Sequence, residues 1–326
     1  MADGILRIGT SGWNYPAGTG TWNGIFYPPR PRRPRGFDQL TYYAEHFDTV
    51  EVNSTFYRPP TREMGRSWVR RTPAGFEFSL KLHQAFTHPR MVQRRALKAL
   101  PPDAAAAEPP ADTVPIITQA DLDEFRAGLD PIASAGKLGA LLAQFPPSFK
   151  ADEPSREYLR WLLDAFHEVP VAVELRHRSW SEDLAPTLTL LNEFGAAWTQ
   201  IDEPKFQFSI RQNYLPNVKG FYYMRLHGRN VEKWWRHANA DERYDYLYSA
   251  GELKPFAETA GAVRSLVKKM YLYLNNHFAS KAVANAVVLK HQLGEPISGE
   301  YPEEFRARYP EAADAIAASA TREPAK

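Results

Sequence analysis

The amino-acid sequence predicts an α/β fold, specifically a TIM-like (β/α)8 barrel with long loops after its strands. Eight short apolar runs recur along the 326 residues, and most of them are followed by a segment of helical periodicity. Nearly every run ends in a polar or charged cluster. Apolar runs of this kind are typical of buried parallel strands, and their alternation with helices indicates βαβ units. Eight such units form a barrel whose active site lies at the carboxyl ends of the strands. The runs cover residues 5–8, 49–52, 77–82, 139–145, 171–175, 196–201, 221–226 and 270–274.

Helical patterns fill most of the segments between these strands. Asp38 lies in the first turn of the first predicted helix, and Thr61 is a suitable N-cap for the second. Gly195 and Gly294 follow the ends of two later helices, where glycine is common. The segment 204–219 contains prolines and aromatic residues without a helical period, so we expect no regular helix there. The Ala-rich segment 311–326 predicts a helix that frays. The other predicted helices span residues 37–46, 61–71, 119–134, 153–167, 184–194, 253–268 and 281–293.

Composition indicates one globular domain over residues 1–326 and excludes several classes of protein. Hydrophobic residues make up 44% and charged residues 24%, and the net charge of +2 is too small to indicate nucleic-acid binding by itself. Without cysteine the chain has no disulfide and no cysteine-bound metal, which favours a cytoplasmic location. No apolar run reaches the length of a membrane span and no signal peptide is recognisable, so we expect no membrane partner.

Three long loops follow strands and therefore lie on the predicted catalytic face. The loops at 10–36 and 228–252 are rich in aromatic residues, which favours a pocket or lid, although a hydrophobic plug is a common alternative. The third, 83–118, contains an Ala- and Pro-rich stretch at 101–111 that predicts a flexible insertion.

Two carboxylates near strand ends are the first candidates for catalysis. Glu51 and Glu174 each lie late in an otherwise apolar strand, where a buried charge is costly unless it is paired. If both face one cavity, they can act as general acid and base. The alternative is a structural ion pair with a cation of a neighbouring strand.

Three cations also lie late in strands, and they favour an anionic or phosphate-bearing substrate. Lys81, Arg176 and Arg225 follow the pattern of the carboxylates, and collected cations of this kind bind phosphate or carboxylate groups. On that hypothesis, replacing Arg225 or Lys81 with alanine weakens binding of an anion. The alternative is that the cations only neutralise the buried carboxylates.

These positions and the polar clusters around them give a complete candidate site. The predicted catalytic residues are Glu51, Lys81, Glu174 and His227, although His227 is equally a candidate structural histidine. The predicted substrate-binding residues are Ser11, Trp13, Tyr15, Asn53, Gln144, Arg176, Asp202, Arg225, Asn275 and Asn276. No metal-binding residue is assigned: a divalent metal suits the carboxylate and histidine types present, but no short ligand motif supports it.

A set of short motifs recurs near the predicted strand ends. The motifs are Gly9-Thr10-Ser11-Gly12-Trp13 with Tyr15, Phe26-Tyr27-Pro28, the segment 49–57, Thr87-His88, the segment 144–149, the segment 173–177 with Ser179-Trp180, Arg225-Leu226-His227-Gly228-Arg229, and Asn275-Asn276 with Asn285-Ala286. Together they resemble the YecE-like family, also described as domain of unknown function 72. The resemblance covers about residues 5–295 and implies a TIM-like barrel without implying an activity. Two departures matter: His277 stands where the family often has an acid, and the 101–111 stretch carries no family motif.

Two functional hypotheses follow. The first is an enzyme acting on a small anionic substrate, and analogy with other barrels favours a hydrolase such as a phosphoesterase, although fold alone does not fix function. The second is a non-catalytic module that binds nucleic acid or protein through the aromatic loops and the basic segment 30–35. An enzyme requires charged side chains that converge in an open pocket, whereas a scaffold requires them mutually paired.

Overall fold

The structure is a computed structural model that describes residues 4–89, 91, 114–212, 220–236 and 239–321, so the predicted insertion at 101–111 lies outside the described residues. Every strand pairing in this part of the chain is parallel. The α/β class with buried parallel strands that the sequence predicts is therefore confirmed. The strands are β1 Ile5–Thr10, β2 Thr49–Val52, β3 Glu77–Lys81, β4 Leu138–Gln144, β5 Val171–Glu174, β6 Ala197–Trp198, β7 Gln200–Asp202, β8 Tyr222–Leu226 and β9 Lys269–Leu274.

The hydrogen bonds join these strands into two sheets rather than into the one closed ring that the sequence predicts. One sheet has the order β1-β9-β8-β7 and the other the order β2-β3-β4-β5-β6. Between β1 and β2 an isolated parallel bridge pairs Ser11 with Glu51. The two sheets therefore approach each other beside a candidate catalytic residue.

The predicted sixth strand is divided in two, and a glutamine side chain explains the division. Gln212 Nε2 donates to Thr199 O at 2.8 Å, and its Oε1 accepts from Ile201 N at 3.0 Å. These backbone groups would otherwise bond to a neighbouring strand. As a result β6 pairs only with β5, and β7 pairs only with β8.

Helices follow most strands, and the predicted N-cap Thr61 is confirmed, since it accepts from Met64 N. Asp38, which the sequence places inside the first turn, is instead the N-cap of its helix and accepts from Thr41 N. The structure adds three short helices, Ser179–Glu182, Val231–Trp235 and Glu303–Arg308, which the sequence did not predict. None of the helices in the described residues is long and apolar enough to span a membrane. The helices are α1 Gln39–His46, α2 Arg62–Arg70, α3 Gln119–Ser134, α4 Glu153–Ala165, α5 Ser179–Glu182, α6 Leu184–Glu193, α7 Val231–Trp235, α8 Ala250–Arg264, α9 Lys281–Gln292, α10 Glu303–Arg308 and α11 Pro310–Ala320.

The predicted absence of a regular helix between the sixth and seventh apolar runs holds for the described part of that segment, residues 204–212. Residues 213–219 lie outside the described residues. The predicted helix at 311–326 is present as α11, which begins one residue earlier and ends at Ala320.

The two sheets lie close together at Gly9 on β1, and a substitution there tests how much this close packing contributes to stability. A Cβ atom at this position would lie only 2.4 Å from Thr49 O, so Gly9→Ala should push β1 away from β2. We expect the free energy of unfolding to fall by about 1–3 kcal/mol, as for overpacked cores. Gly261 of α8 is the matched control because a Cβ there meets nothing within 4 Å, and Gly261→Ala should stabilise by about 0.5–1 kcal/mol. Urea denaturation of both variants checks the difference; equal stabilities would contradict the packing argument.

Candidate active site at the carboxyl ends of the strands

Arg225 on β8 lies at the centre of a buried charge network. Its Nη2 donates to Glu51 Oε1 at 2.6 Å, and its Nε donates to Glu51 Oε2 at 2.9 Å. Its Nη1 donates to Glu174 Oε2 at 2.6 Å and to Gln144 Oε1 at 3.1 Å. Tyr223 also donates to Glu51, at 2.7 Å. Arg225 is 1% exposed and both carboxylates are fully buried, so this guanidinium directly compensates both of them.

Arg176, which follows β5, is the second cation of the network. Its Nε and Nη2 donate to Glu174 Oε1 at 2.8 and 2.7 Å. Burial by itself raises the pKa of Glu174, but the two guanidinium groups and His227 hold that pKa well below its ordinary value. Glu174 is therefore an ionised carboxylate at neutral pH, and it holds the two arginines in position.

His227 at the end of β8 is a neutral member of the network. Asn275 Nδ2 donates to His227 Nδ1 at 2.8 Å, which leaves the ring proton on Nε2, 3.5 Å from Glu174 Oε1. Burial lowers the pKa of His227 to about 3, because the favourable effect of Glu174 is smaller and Arg225 opposes protonation. His227 is thus fully buried and uncharged, as in the structural interpretation that the sequence left open.

Lys81 at the end of β3 is partly exposed, as is Arg176, whereas Arg225 is buried. Its Nζ donates to Gln144 Oε1 at 3.0 Å and lies 4.1 Å from the centre of the Phe56 ring. Burial of the ammonium lowers the pKa of Lys81 to about 7, and Arg225 and Arg176 add to this effect. The amine is therefore divided between its charged and neutral forms at neutral pH.

Glu203, directly after β7, belongs to the network although the sequence analysis did not assign it. Its Oε2 lies 3.4 Å from Arg176 Nη1 and accepts no hydrogen bond from the described residues. Burial raises the pKa of Glu203, and the nearby Arg176 only partly offsets it. The sequence does contain an indication of Glu203, because the pair Asp202-Glu203 follows an apolar run. The sequence analysis assigned Asp202 to the site and not Glu203.

Asp202 and Asn276, two predicted substrate-binding residues, hold the loop after β8 instead of joining the network. Asp202 accepts from Arg229 Nε at 2.8 Å and from Tyr248 at 2.7 Å. Asn276 Nδ2 donates to Tyr246 O of this loop at 2.8 Å and to Asn285 Oδ1 at 2.7 Å. These bonds fix the loop over the strand ends.

The aromatic residues of the first loop act mainly as a hydrophobic plug. Trp22 is fully buried and donates from Nε1 to His277 O at 2.6 Å. Tyr15 stacks on the ring of His277, with centroids 4.3 Å apart. Trp13 instead packs edge-on against Trp68 of α2, and so the structure does not bring it into the charge network. Of the two interpretations of this loop, the contacts correspond to the plug.

Ser11 and Asn53 each place a polar oxygen near the network without a partner. Ser11 is fully buried beside Glu51, and its Oγ forms no hydrogen bond within the described residues. Asn53 follows β2, and its Oδ1 is likewise buried without a partner in the described part of the chain. Both remain candidates for contact with a bound ligand.

The structure therefore brings eight of the predicted site residues into one connected set by hydrogen bonds or ion pairs. Two others, Asp202 and Asn276, lie in the loop attachment, and Trp13 lies against α2. Within the described residues no group of three or more histidine, cysteine or acidic side chains is arranged to hold a metal ion. The connected residues are Glu51, Lys81, Gln144, Glu174, Arg176, Arg225, His227 and Asn275.

A cavity of about 390 Å³ lies at the opposite, amino-terminal end of the strands. Its charged lining includes Arg7 and Asp48, which pair with each other, and Arg7 also contacts Glu77 at 3.2 Å. Lys290 in the same lining donates to His46 O at 3.2 Å. Because ligands of parallel α/β folds bind outside the carboxyl ends of the strands, we place the candidate site there and not at this cavity.

Known proteins that are similar to this chain carry the description of one family. The family model described as "Protein of unknown function DUF72" matches residues 7–307. The UPF0759 protein YunF of Bacillus subtilis (strain 168) is 27% identical over 317 residues, covering 92% of this chain and 99% of that protein. The crystal structure of the DUF72 family protein TM1631 from Thermotoga maritima MSB8 is 30% identical with a TM-score of 0.69, covering 89% of this chain and 100% of that chain. The crystal structure of the DUF72 family protein EF0366 from Enterococcus faecalis V583 is 20% identical with a TM-score of 0.69, covering 92% of this chain and 99% of that chain. At this identity the similarity shows the fold alone.

Proposed function

This chain belongs to the DUF72 family, as its resemblance to the YecE-like family predicted, and because that description names no activity we propose a function from the residues themselves. We propose an enzyme that binds a small anionic substrate at the carboxyl ends of the strands. The observation that carries the proposal is Lys81, a partly exposed amine inside a network of buried charges whose hydrogen-bond acceptor is the neutral amide of Gln144.

The charges of the network support an anionic ligand. Glu51 and Glu174 are two negative charges, and Arg225 and Arg176 are the two positive charges that contact them. No carboxylate of the described residues forms an ion pair with Lys81, and so a ligand anion would supply one. Within this proposal Lys81 and Arg176 contact the anion, whereas the enclosed Arg225 holds the carboxylates.

Glu203 is the proposed general acid. Its raised pKa favours the protonated form, and its Oε2 accepts no hydrogen bond from described residues. A carboxylic acid beside the Arg176 guanidinium could protonate a leaving group while the arginine binds the anion. Hydrolysis of an anionic substrate, such as a phosphate ester, therefore remains the proposed reaction class. Glu51 and Glu174 become positioning residues, because Arg225 engages both.

We further propose that the two sheets act as one barrel-like framework. The first strand, β1, pairs with the last, β9; the other neighbours within each sheet are consecutive in sequence, and the Ser11–Glu51 bridge joins the sheet of β1 to that of β2. This arrangement supports one shared site for the network residues at the carboxyl ends of the strands.

Anion binding to the purified protein tests the proposed function. We expect phosphate or sulfate to bind in calorimetry at pH 6.5, where Lys81 is mostly charged. Lys81→Ala should weaken that binding about tenfold, because one charge-assisted hydrogen bond is worth about 1.5–3 kcal/mol. Lys254→Ala is the control, since Lys254 is 71% exposed on α8 and pairs weakly with Glu258. Equal affinities in the two variants, or no binding of phosphate, sulfate or small carboxylates, would count against the proposal.

A second candidate function rests on an exposed aromatic cluster formed by Phe206, Phe208 and Trp235. The rings of Phe206 and Phe208 stack 5.6 Å apart, Trp235 lies 5.6 Å from Phe206, and Trp235 is 58% exposed. Such a cluster suits stacking with bases of single-stranded nucleic acid. Titration of a labelled oligonucleotide against Trp235→Ala tests it: unchanged binding, or none in the wild type, would remove this candidate.

A further inference from the structure

We propose that Lys81 is a covalent nucleophile that forms an imine with the carbonyl group of an anionic aldehyde or ketone, such as a 2-oxo acid. The proposal rests on the proposed function, because it uses the same anion-binding network. It adds a substrate class, a small carbonyl compound that carries a carboxylate or phosphate, and a covalent role for one residue.

The position of the amine is the first support. Lys81 Nζ is held by one acceptor, Gln144 Oε1 at 3.0 Å, and by the face of the Phe56 ring at 4.1 Å. Gln144 Oε1 also accepts from Arg225 at 3.1 Å, and so the amide is fixed by a buried group. Lys81 is thus oriented at the end of β3 while remaining partly exposed to a ligand.

The charges around the amine are the second support. Attack on a carbonyl carbon needs a neutral amine, and burial next to cations is the environment that supplies one. Burial, Arg225 and Arg176 lower the pKa of Lys81 to about 7, while the nearby carboxylates act in the opposite direction. The titratable and charged groups that face Lys81 are Glu51 on β2, Glu174 on β5, Arg176 after β5, Arg225 on β8 and His88 beyond the turn at Gln84–Phe86.

The chemical step balances with one proton taken from the solvent. The lone pair of neutral Lys81 attacks the carbonyl carbon, the C–N bond forms as the carbon–oxygen double bond becomes a single bond, and the carbonyl oxygen takes a proton from the solvent at the partly exposed amine. Loss of this oxygen as water, with a second proton transfer from nitrogen to oxygen, gives the protonated imine. The sum is one amine, one carbonyl and one proton giving one iminium ion and one water. Arg176, which contacts both carboxylates beside this position, would bind the anionic group of the substrate.

Reductive trapping of the full-length protein tests the proposal. The protein is incubated at pH 7 with glyoxylate and sodium cyanoborohydride, and labelled lysines are located by peptide mass spectrometry. About half of a lysine with a pKa near 7 is neutral at this pH, against about one in 2,500 for an ordinary lysine. Because lower basicity also reduces reactivity, we expect initial labelling of Lys81 to exceed that of the exposed Lys254 about tenfold or more. Labelling of Lys81 no faster than Lys254 would overturn the proposal.

Two variants keep the result interpretable. Lys81→Arg removes the nucleophile, so the selective adduct should disappear while labelling of Lys254 stays unchanged. Gln144→Glu keeps Lys81 and places a carboxylate at the Gln144 position, which raises the lysine pKa and should slow labelling at pH 7 about tenfold or more. If labelling of Lys81 is instead as fast in Gln144→Glu as in the wild type, the amine is not controlled by this network and the proposal fails.

Failure of the covalent step is distinguishable from failure of the proposed function. Phosphate binding that depends on Lys81, together with no selective trapping by glyoxylate, would overturn the covalent role and leave the anion site standing. Absence of both would overturn both. Selective trapping of Lys81 that free phosphate slows in competition would support both, because the two ligands then share one site.

Discussion

Arg225→Ala should lower the free energy of unfolding by about 3–5 kcal/mol, the cost of removing one partner from a buried ion pair. The guanidinium donates to Glu51 and to Glu174, and both carboxylates are fully buried. Arg176 would still contact Glu174, but Glu51 would retain only the Tyr223 hydroxyl among the partners described above. The loss should be visible as a lower midpoint in urea or thermal denaturation.

The matched control for this prediction is Arg160→Ala on α4. Arg160 pairs with Glu193, but the two side chains are 52% and 49% exposed, and such pairs contribute about 0–1 kcal/mol. A double variant, Arg225→Ala with Glu51→Gln, should be more stable than Arg225→Ala alone, because the stranded charge is removed. If Arg225→Ala is no less stable than Arg160→Ala, Arg225 is not a structural cation and its assignment to ligand binding would return.

Acidification should destabilise the protein steeply below pH 6.5, because three histidines are held neutral by burial. Burial lowers the pKa of His88, His227 and His277 to about 3, whereas an unfolded histidine has a pKa near about 6.5. The unfolded state therefore binds more protons, so their contribution is fully present above pH 6.5 and is lost as the pH falls towards 3. Three protons correspond to about 4.1 kcal/mol per pH unit. Denaturation between pH 6.5 and 5 measures this slope.

His277→Phe should reduce that slope by about 1.4 kcal/mol per pH unit, the contribution of one proton. The variant preserves the stack with Tyr15, and His277 Nδ1 has no hydrogen-bond partner among the described residues. His167→Phe on the exposed surface is the control, and it should leave the slope unchanged. A slope that is the same in all three proteins would show that His277 does not take up the proton.

The pKa values of Glu203 and Glu174 move in opposite directions although both residues are buried acids. Glu174 contacts two guanidinium groups, which hold its pKa well below the ordinary value. Glu203 has a single cation at 3.4 Å, so burial dominates and raises its pKa. Two carboxylates whose pKa values are moved apart are typical of sites that transfer protons. This contrast makes Glu203, and not Glu174, the proposed acid.

The sequence by itself determined the strands and most of the longer helices. Apolar runs of strand length predicted where the described strands lie, because a parallel strand covered on both faces must be apolar along its length. Charged residues late in those runs, such as Glu51 and Arg225, predicted charged groups on one side of the fold, since carboxyl ends of parallel strands share that side, and left open whether these groups pair with one another or bind a ligand. The helix start at Thr61 followed from local hydrogen bonding alone.

Only the tertiary structure decided how the charges pair and where the sheet divides. Arg225 and Glu51 are 174 positions apart in the sequence. No local sequence pattern shows that the two side chains meet, and so the sequence leaves open whether Arg225 binds Glu51 or a ligand. The division of the sixth strand at Thr199 depends on the Gln212 side chain, which folds back onto the strand from a later loop. Likewise, burial raises the pKa of Glu203, and burial together with cations of other strands lowers the pKa of Lys81; these surroundings exist only after the chain has folded.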